Sequence, residues 1–187
     1  MKRQDALDLL HKNMQNLNLR RHCYGVEAVM KALARYFHED EELWGIVGLL
    51  HDADYELTKN DTAKHALTAA GWLKETDADS RIGKAILSHA WKFVEGCPEP
   101  VGNLEWSIYT CDELTGLIVA VALVRPDKKL SSVAVESVQK KWNIRAFAAG
   151  ANREMIGLCE EKLGIKLGDF IKIALTAMQS ISPELGL

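Results

Sequence analysis

Six side chains in this sequence have the chemistry of a metal centre: His22, His51, Asp52, His65, His89 and Asp112. His51-Asp52 is the most telling pair. It stands at the end of the apolar run Leu43-Trp44-Gly45-Ile46-Val47-Gly48-Leu49-Leu50, which reads as protein interior. A neutral imidazole beside a carboxylate is a pair of good ligands for a divalent cation. A carboxylate at the end of a core helix needs such a cation, or dense hydrogen bonding, because burying it unpaired is costly. Six such residues over five segments point to a metal-dependent activity.

Taken singly, each has a plainer explanation. A lone core-facing histidine is more often satisfied by a backbone carbonyl or a neighbour, and an aspartate such as Asp112 more often pairs with Arg or Lys. Taken together they are harder to dismiss. Of six histidines, His11 and His38 read as residues of solvated faces. The other four fall on apolar stripes, and each imidazole in a low-dielectric interior demands partners.

The elements that must position these residues have helical period almost throughout. Residues 3–15 form one amphipathic segment and 20–38 a second, with the stripe His22, Val26, Val29, Leu33, Tyr36. Asp40 caps a third, which begins Glu41-Glu42 at the positive end of its dipole and ends near His51-Asp52. Asp61 or Thr62 starts a fourth, to about Lys74, with His65, Ala69 and Trp72 on one face. Asp79 or Ser80 starts a fifth, to about Phe93, with Ile82, Ile86, His89 and Phe93 aligned. Gly96, Pro98, Pro100 and Gly102 mark a loop. A long apolar helix then runs from about Leu104 to Val124, carrying Asp112 beside Ile108, Thr115 and Val119, and Arg125-Pro126 ends it. Leu117, Ile118, Val121 and Leu123 are expected to be buried. Ser131 or Ser132 caps a short helix to about Lys141, and two more follow at about 152–163 and 169–182. No alternating strand of useful length appears, so the expected fold is an all-α, single-domain helical bundle of residues 1–187.

Composition narrows the function classes. The hydrophobic fraction is 48%, the charged fraction 26% and the net charge −3, which suits a globular protein and argues against a basic nucleic-acid-binding stripe. Four cysteines, Cys23, Cys97, Cys111 and Cys159, form no CxxC pair and read as reduced thiols. The N-terminus lacks the apolar stretch of a signal peptide. The run Leu114–Val124 is about two turns short of a bilayer span. The expectation is a cytoplasmic protein with no nucleic-acid polymer and no membrane among its partners.

A histidine, then His-Asp about thirty residues on, then a distant aspartate on a later helix resembles the HD superfamily of metal-dependent phosphohydrolases. His65-Ala66-Leu67-Thr68-Ala69-Ala70 and Ser88-His89-Ala90 resemble the segments that carry further metal histidines in its HDIG and HD-GYP branches. The likeness spans about residues 18–125. Ala53-Asp54-Tyr55 after the His-Asp pair, and His-Ala-Trp on the fifth helix, depart from the HD-GYP pattern and speak against cyclic-dinucleotide cleavage.

The resemblance implies a bundle in which His22, His51, Asp52 and Asp112 surround one divalent metal, while Asp52 bridges to a second held by His65 and His89. One or two ions fit these ligands, and Fe, Mn, Zn, Ni, Co or Mg are all open. The implied chemistry is attack by a metal-activated water on a small phosphorylated metabolite, with a nucleotide first in line. Asp54 and Glu56 are candidates for a general base or a supporting partner of the ligands. Lys92, one turn beyond His89, is the first candidate for a phosphate-binding cation, followed by Arg125, Lys128 and Lys129. A di-iron oxygenase and a non-catalytic nucleotide-binding module remain as alternatives on the same scaffold.

Overall fold

Four helix starts are set by a side-chain oxygen that accepts backbone N–H groups left free in the first turn. Asn16 accepts from Asn18 and Leu19, Asp40 from Glu42 and Leu43, Asp79 from Arg81, and Asn152 from Glu154 and Met155. The computed structural model describes residues 1–187. It contains α1 (Arg3–Asn13), α2 (Leu17–Phe37), α3 (Glu41–Leu50), α4 (Tyr55–Thr58), α5 (Leu67–Lys74) and α6 (Ser80–His89). These are followed by α7 (Asn103–Leu123), α8 (Val135–Trp142), α9 (Arg153–Leu163), α10 (Leu167–Ser180) and α11 (Ser182–Leu185). Two 3₁₀ turns, Thr62–Lys64 and Leu130–Ser132, complete the chain, and there is no β-strand.

The closest pairing is α2 against α3. Gly48 makes it possible, because a Cβ there would lie 2.8 Å from the Val26 carbonyl oxygen and 2.9 Å from the Glu27 backbone. The two helices that present His22 and His51 therefore touch backbone to backbone. An ion cluster around the buried Glu27 adds to this layer: Glu27 takes two hydrogen bonds from the half-exposed Arg3, at 2.5 and 2.9 Å, and one from Lys31 at 2.5 Å. α7 packs on α2, α6 and α9, and α10 on α2 and α7, so one apolar cluster runs from Ala6 to Leu185. α7 is long and apolar enough to cross a membrane, and 67% of its apolar window is buried in the fold.

Several boundaries differ from the sequence expectation. The fourth segment is not one helix from residue 61 to 74 but a 3₁₀ turn, a break and α5. Ala66 stands at φ 64° and offers no side-chain cap. The cap comes instead from the buried Asp54, whose Oδ2 accepts the Ala69 N–H at 2.8 Å in the first turn of α5. α6 ends at His89 rather than near Phe93; Lys92 is at φ 70° and Phe93 is 61% exposed. Leu117, Ile118 and Val121 are buried on α7, whereas Leu123, at its end, is 49% exposed. Ser132 caps no helix: it lies in a 3₁₀ turn and bonds Arg125 and Asp127.

Candidate metal centre

The core faces of α2, α3, α6 and α7, with the break before α5, bring all six sequence-predicted ligands to one place. In the first group, His22 Nε2 lies 3.2 Å from His51 Nε2 and 3.0 Å from Asp112 Oδ1, and His51 Nε2 lies 3.4 Å from that same oxygen. In the second, His65 Nε2 is 3.1 Å from His89 Nε2 and 3.3 Å from Asp52 Oδ1, which His89 Nε2 approaches to 3.5 Å. Donors bonded to one ion at about 2.0–2.3 Å, in tetrahedral or octahedral array, stand roughly 3.0–3.5 Å apart. Both groups have that spacing and could hold a metal ion.

Asp52 lies between them. Its Oδ1 belongs to the second group, while Oδ2 is 3.8 Å from His22 Nε2 and 3.7 Å from His51 Nε2. One carboxylate thus presents one oxygen to each group.

The hydrogen bonds behind the histidines show which way each ring turns. His51 Nδ1 faces the Gly48 carbonyl at 2.8 Å, and His89 Nδ1 faces the Ile86 carbonyl. His65 Nδ1 is 2.9 Å from Asp54 Oδ1. Thr115 donates its hydroxyl to the Asp112 carbonyl at 2.8 Å, which leaves its oxygen free to accept from His22 Nδ1 at 3.3 Å. Each Nδ1 therefore carries the proton and donates it outward, and each Nε2 turns a lone pair inward. Four inward lone pairs and two carboxylates make a cluster of acceptors with no donor among them, which is the donor set of a cation site.

Charge follows the same logic. Burial disfavours the charged form of His51, yet Asp52 and Asp112 outweigh it and push its imidazole up to about 9. Burial likewise opposes ionisation of Asp52 and Asp112, but His51 beside them holds both below the ordinary carboxylate range. His65 is raised against its burial by the hydrogen bond to Asp54 and the charge of Asp52. The two carboxylates thus favour positive charge at the centre, whether a proton or a cation supplies it.

Four further residues that the sequence singled out have partners of their own. Asp54 is fully buried behind His65 and anchors that ring and α5, so it supports a ligand and does not reach the centre. Glu56 accepts the Gln15 and Asn16 N–H groups at 2.6 and 2.9 Å and ties down the α1–α2 connection. Lys92 lies with its Nζ 4.1 Å above the Trp91 ring, because α6 has already ended and the backbone turns away. Arg125 sits about 20 Å along α7 from Asp112, at roughly 1.5 Å per residue, and bonds Ser132.

The mouth of the centre contains residues that the sequence did not single out. A cavity of about 500 Å³ is lined by Asp52 and Asp112 together with Leu19, Tyr55, Glu113 and Gly116, and by Ala148, Gly150 and Ala151 from beyond α8. That last stretch is held in place by Arg153, which donates to the carbonyls of Phe147, Ala148 and Ala151, and by the Asn152 N–H on Glu113. Burial and Asp112 raise the Glu113 carboxyl above its ordinary value. A glutamate adjoining Asp112 and an asparagine cap at 152 were the only local signals for this wall.

An all-helical bundle that gathers two His/Asp groups around one shared carboxylate is a scaffold for metal-dependent hydrolysis. Residues 19–122, more than half of the chain, match the HD domain family, and the chain belongs to that family, whose members are in general metal-dependent phosphohydrolases. No curated protein and no solved structure matches it.

Proposed function

We propose that this protein is a phosphohydrolase that uses two divalent ions, one held by His22, His51, Asp112 and Asp52, the other by His65, His89 and Asp52, and that its substrate is a small phosphorylated metabolite, a nucleotide first among them. The observation that carries the reading is the convergence of inward-facing acceptors on two points separated by one carboxylate. Bound there, the ions would supply charge to phosphate oxygens and lower the pKa of a water. The chain's own part is positional. Gly48, Ile86, Asp54 and Thr115 fix the imidazole orientations, and Asp52 fixes the separation of the two groups. Tyr55, 41% exposed at the mouth, offers an aromatic face on which a base can stack. A near-neutral charge balance supports a small substrate over a polymer or a membrane surface, and the free thiols support a reducing compartment such as the cytoplasm.

The test is metal analysis after anaerobic purification, followed by a panel of phosphomonoesters and phosphodiesters with each of Mn, Fe, Co, Ni, Zn and Mg. Up to two equivalents of metal and hydrolysis of a small phosphoester are expected. Loss of the proposal would follow from a protein that retains metal, hydrolyses no ester with any ion, and consumes dioxygen when loaded with iron.

A further inference from the structure

Arg21 is the one half-buried arginine without a partner. Arg3 pairs with Glu27, Arg20 with the Met14 and His11 carbonyls, Arg125 with Ser132, and Arg153 with three carbonyls. Arg21 makes no hydrogen bond or ion pair, and its Nε is buried with none available. A guanidinium carries five donors in a planar fork, and desolvating it without an acceptor is costly. It packs against the chain near Gly186. The backbone of Gly186, at φ 72°, lies so close that a Cβ there would be 2.6 Å from Arg21 Nη2 and 2.7 Å from Cζ.

Arg21 lines a cavity of about 470 Å³, a size suited to a small organic molecule. The walls are largely apolar, from Val119, Leu123, Met178 and Leu185, and the cavity shares His22 and Gly116 with the mouth of the metal centre. Gly116 has nothing within 4 Å of where its Cβ would be, so no side chain stands between the two spaces at that point of α7. α10 and α11, which supply Met178 and Leu185, lie outside the residues that match the family.

We infer that this cavity receives the organic part of the substrate, and that Arg21 binds a second anionic group on it, a carboxylate or a phosphate, away from the phosphoester at the metals. The inference rests on the phosphohydrolase reading and narrows it. The substrate has an acidic group at each end of an apolar body; among nucleotides, this selects those with a second phosphate remote from the scissile one. A planar carboxylate or phosphate accepts two parallel N–H bonds from the fork and supplies the acceptors that Arg21 lacks. The apolar walls exclude water from that pair.

Two non-hydrolysable probes separate the claims: benzylphosphonate and 4-carboxybenzylphosphonate, titrated calorimetrically into the metal-loaded protein. The carboxylate is expected to tighten binding about 10-fold or more, the range of a hydrogen bond to a charged group. Arg21→Met should bring the two probes to within about 2-fold of each other. It should also raise the melting temperature of the metal-free protein by about 2–4 °C, since it removes an unpaired charge and keeps the stem. Equal binding of both probes to the unaltered protein would overturn the inference, as would a preference that survives Arg21→Met. A melting temperature that falls would mark Arg21 as structural and overturn it too. If Arg21→Met does not fold, Arg21→Lys keeps the charge, loses the fork, and should cut the preference several-fold; an undiminished preference refutes the role. Failure of both phosphonates to bind the metal-loaded protein would remove the phosphate reading itself, and this inference with it.

Discussion

Asp54→Asn isolates the step from a buried carboxylate to a metal ligand. Asp54 has no solvent exposure, and its two oxygens divide the work, Oδ1 facing His65 Nδ1 at 2.9 Å and Oδ2 the Ala69 N–H at 2.8 Å. The amide keeps one acceptor and replaces the other with a donor. If the amide oxygen serves Ala69, the NH₂ faces His65 Nδ1, which must then give up its proton. The proton moves to Nε2, where it replaces the lone pair that faces His89 and Asp52. If the oxygen serves His65, a donor meets the Ala69 N–H and α5 loses its cap. The first outcome is a change in a partner that orients a ligand, worth about 10–100-fold in metal affinity. The second leaves a buried donor unsatisfied, worth about 1–3 kcal/mol. At about 2–4 °C per kcal/mol for a chain of this size, the melting temperature falls by about 2–12 °C. The assay is metal titration by calorimetry with parallel thermal unfolding. The His65/His89 site should weaken 10–100-fold, with the His22/His51/Asp112 site much less affected. Unchanged affinity at both sites, with an unchanged melting temperature, would refute the argument that Asp54 sets the His65 tautomer.

Asp52→Ala should abolish hydrolysis and deplete both sites, whereas His89→Ala should lose one ion and about two orders of magnitude in turnover; full metal content and near-normal turnover in both His65→Ala and His89→Ala would leave a mononuclear enzyme. Gly48→Ala places a methyl 2.8–2.9 Å from the α2 backbone, so α2 and α3 must separate; a cost of about 1–3 kcal/mol and reduced metal content are expected, checked by unfolding and metal analysis. For the metal-free protein, His51 is raised from 6.5 to about 9, so its contribution to stability is fully present below pH 6.5 and is lost as pH rises through 9. The melting temperature in chelator should therefore fall between pH 6.5 and 9. Metal affinity should rise over the same window, because binding displaces that proton; a flat chelator profile would contradict the charge assignment.

Much of the site could be read from residue types and periodicity. His22, His51, His89 and Asp112 lie on helices whose apolar stripes point inward, and the period of 3.6 residues orients each side chain before any tertiary contact forms. The starts at Asp40 and Asp79 were likewise legible, because a cap acts on the N–H groups two or three residues ahead of it. What failed was non-local. Asp54 does stand behind His65 as a supporting partner, one of the two roles its place after the pair suggested, but it also caps a helix that begins thirteen residues later, a partnership that nothing in the local chain encodes. Lys92 looked like a neighbour of His89 because the helix was expected to continue, and it was the turn after Ala90 that took it to Trp91. The wall from Ala148 to Ala151, and the meeting of Arg21 with Gly186, join segments far apart in the chain, so only the packed fold could bring them together. Sequence by itself determined which donors face the core, since that depends on local period and burial. Tertiary structure decided which of them share an ion, how their protons are held, and what space the substrate finds beside them, because those depend on distances between helices.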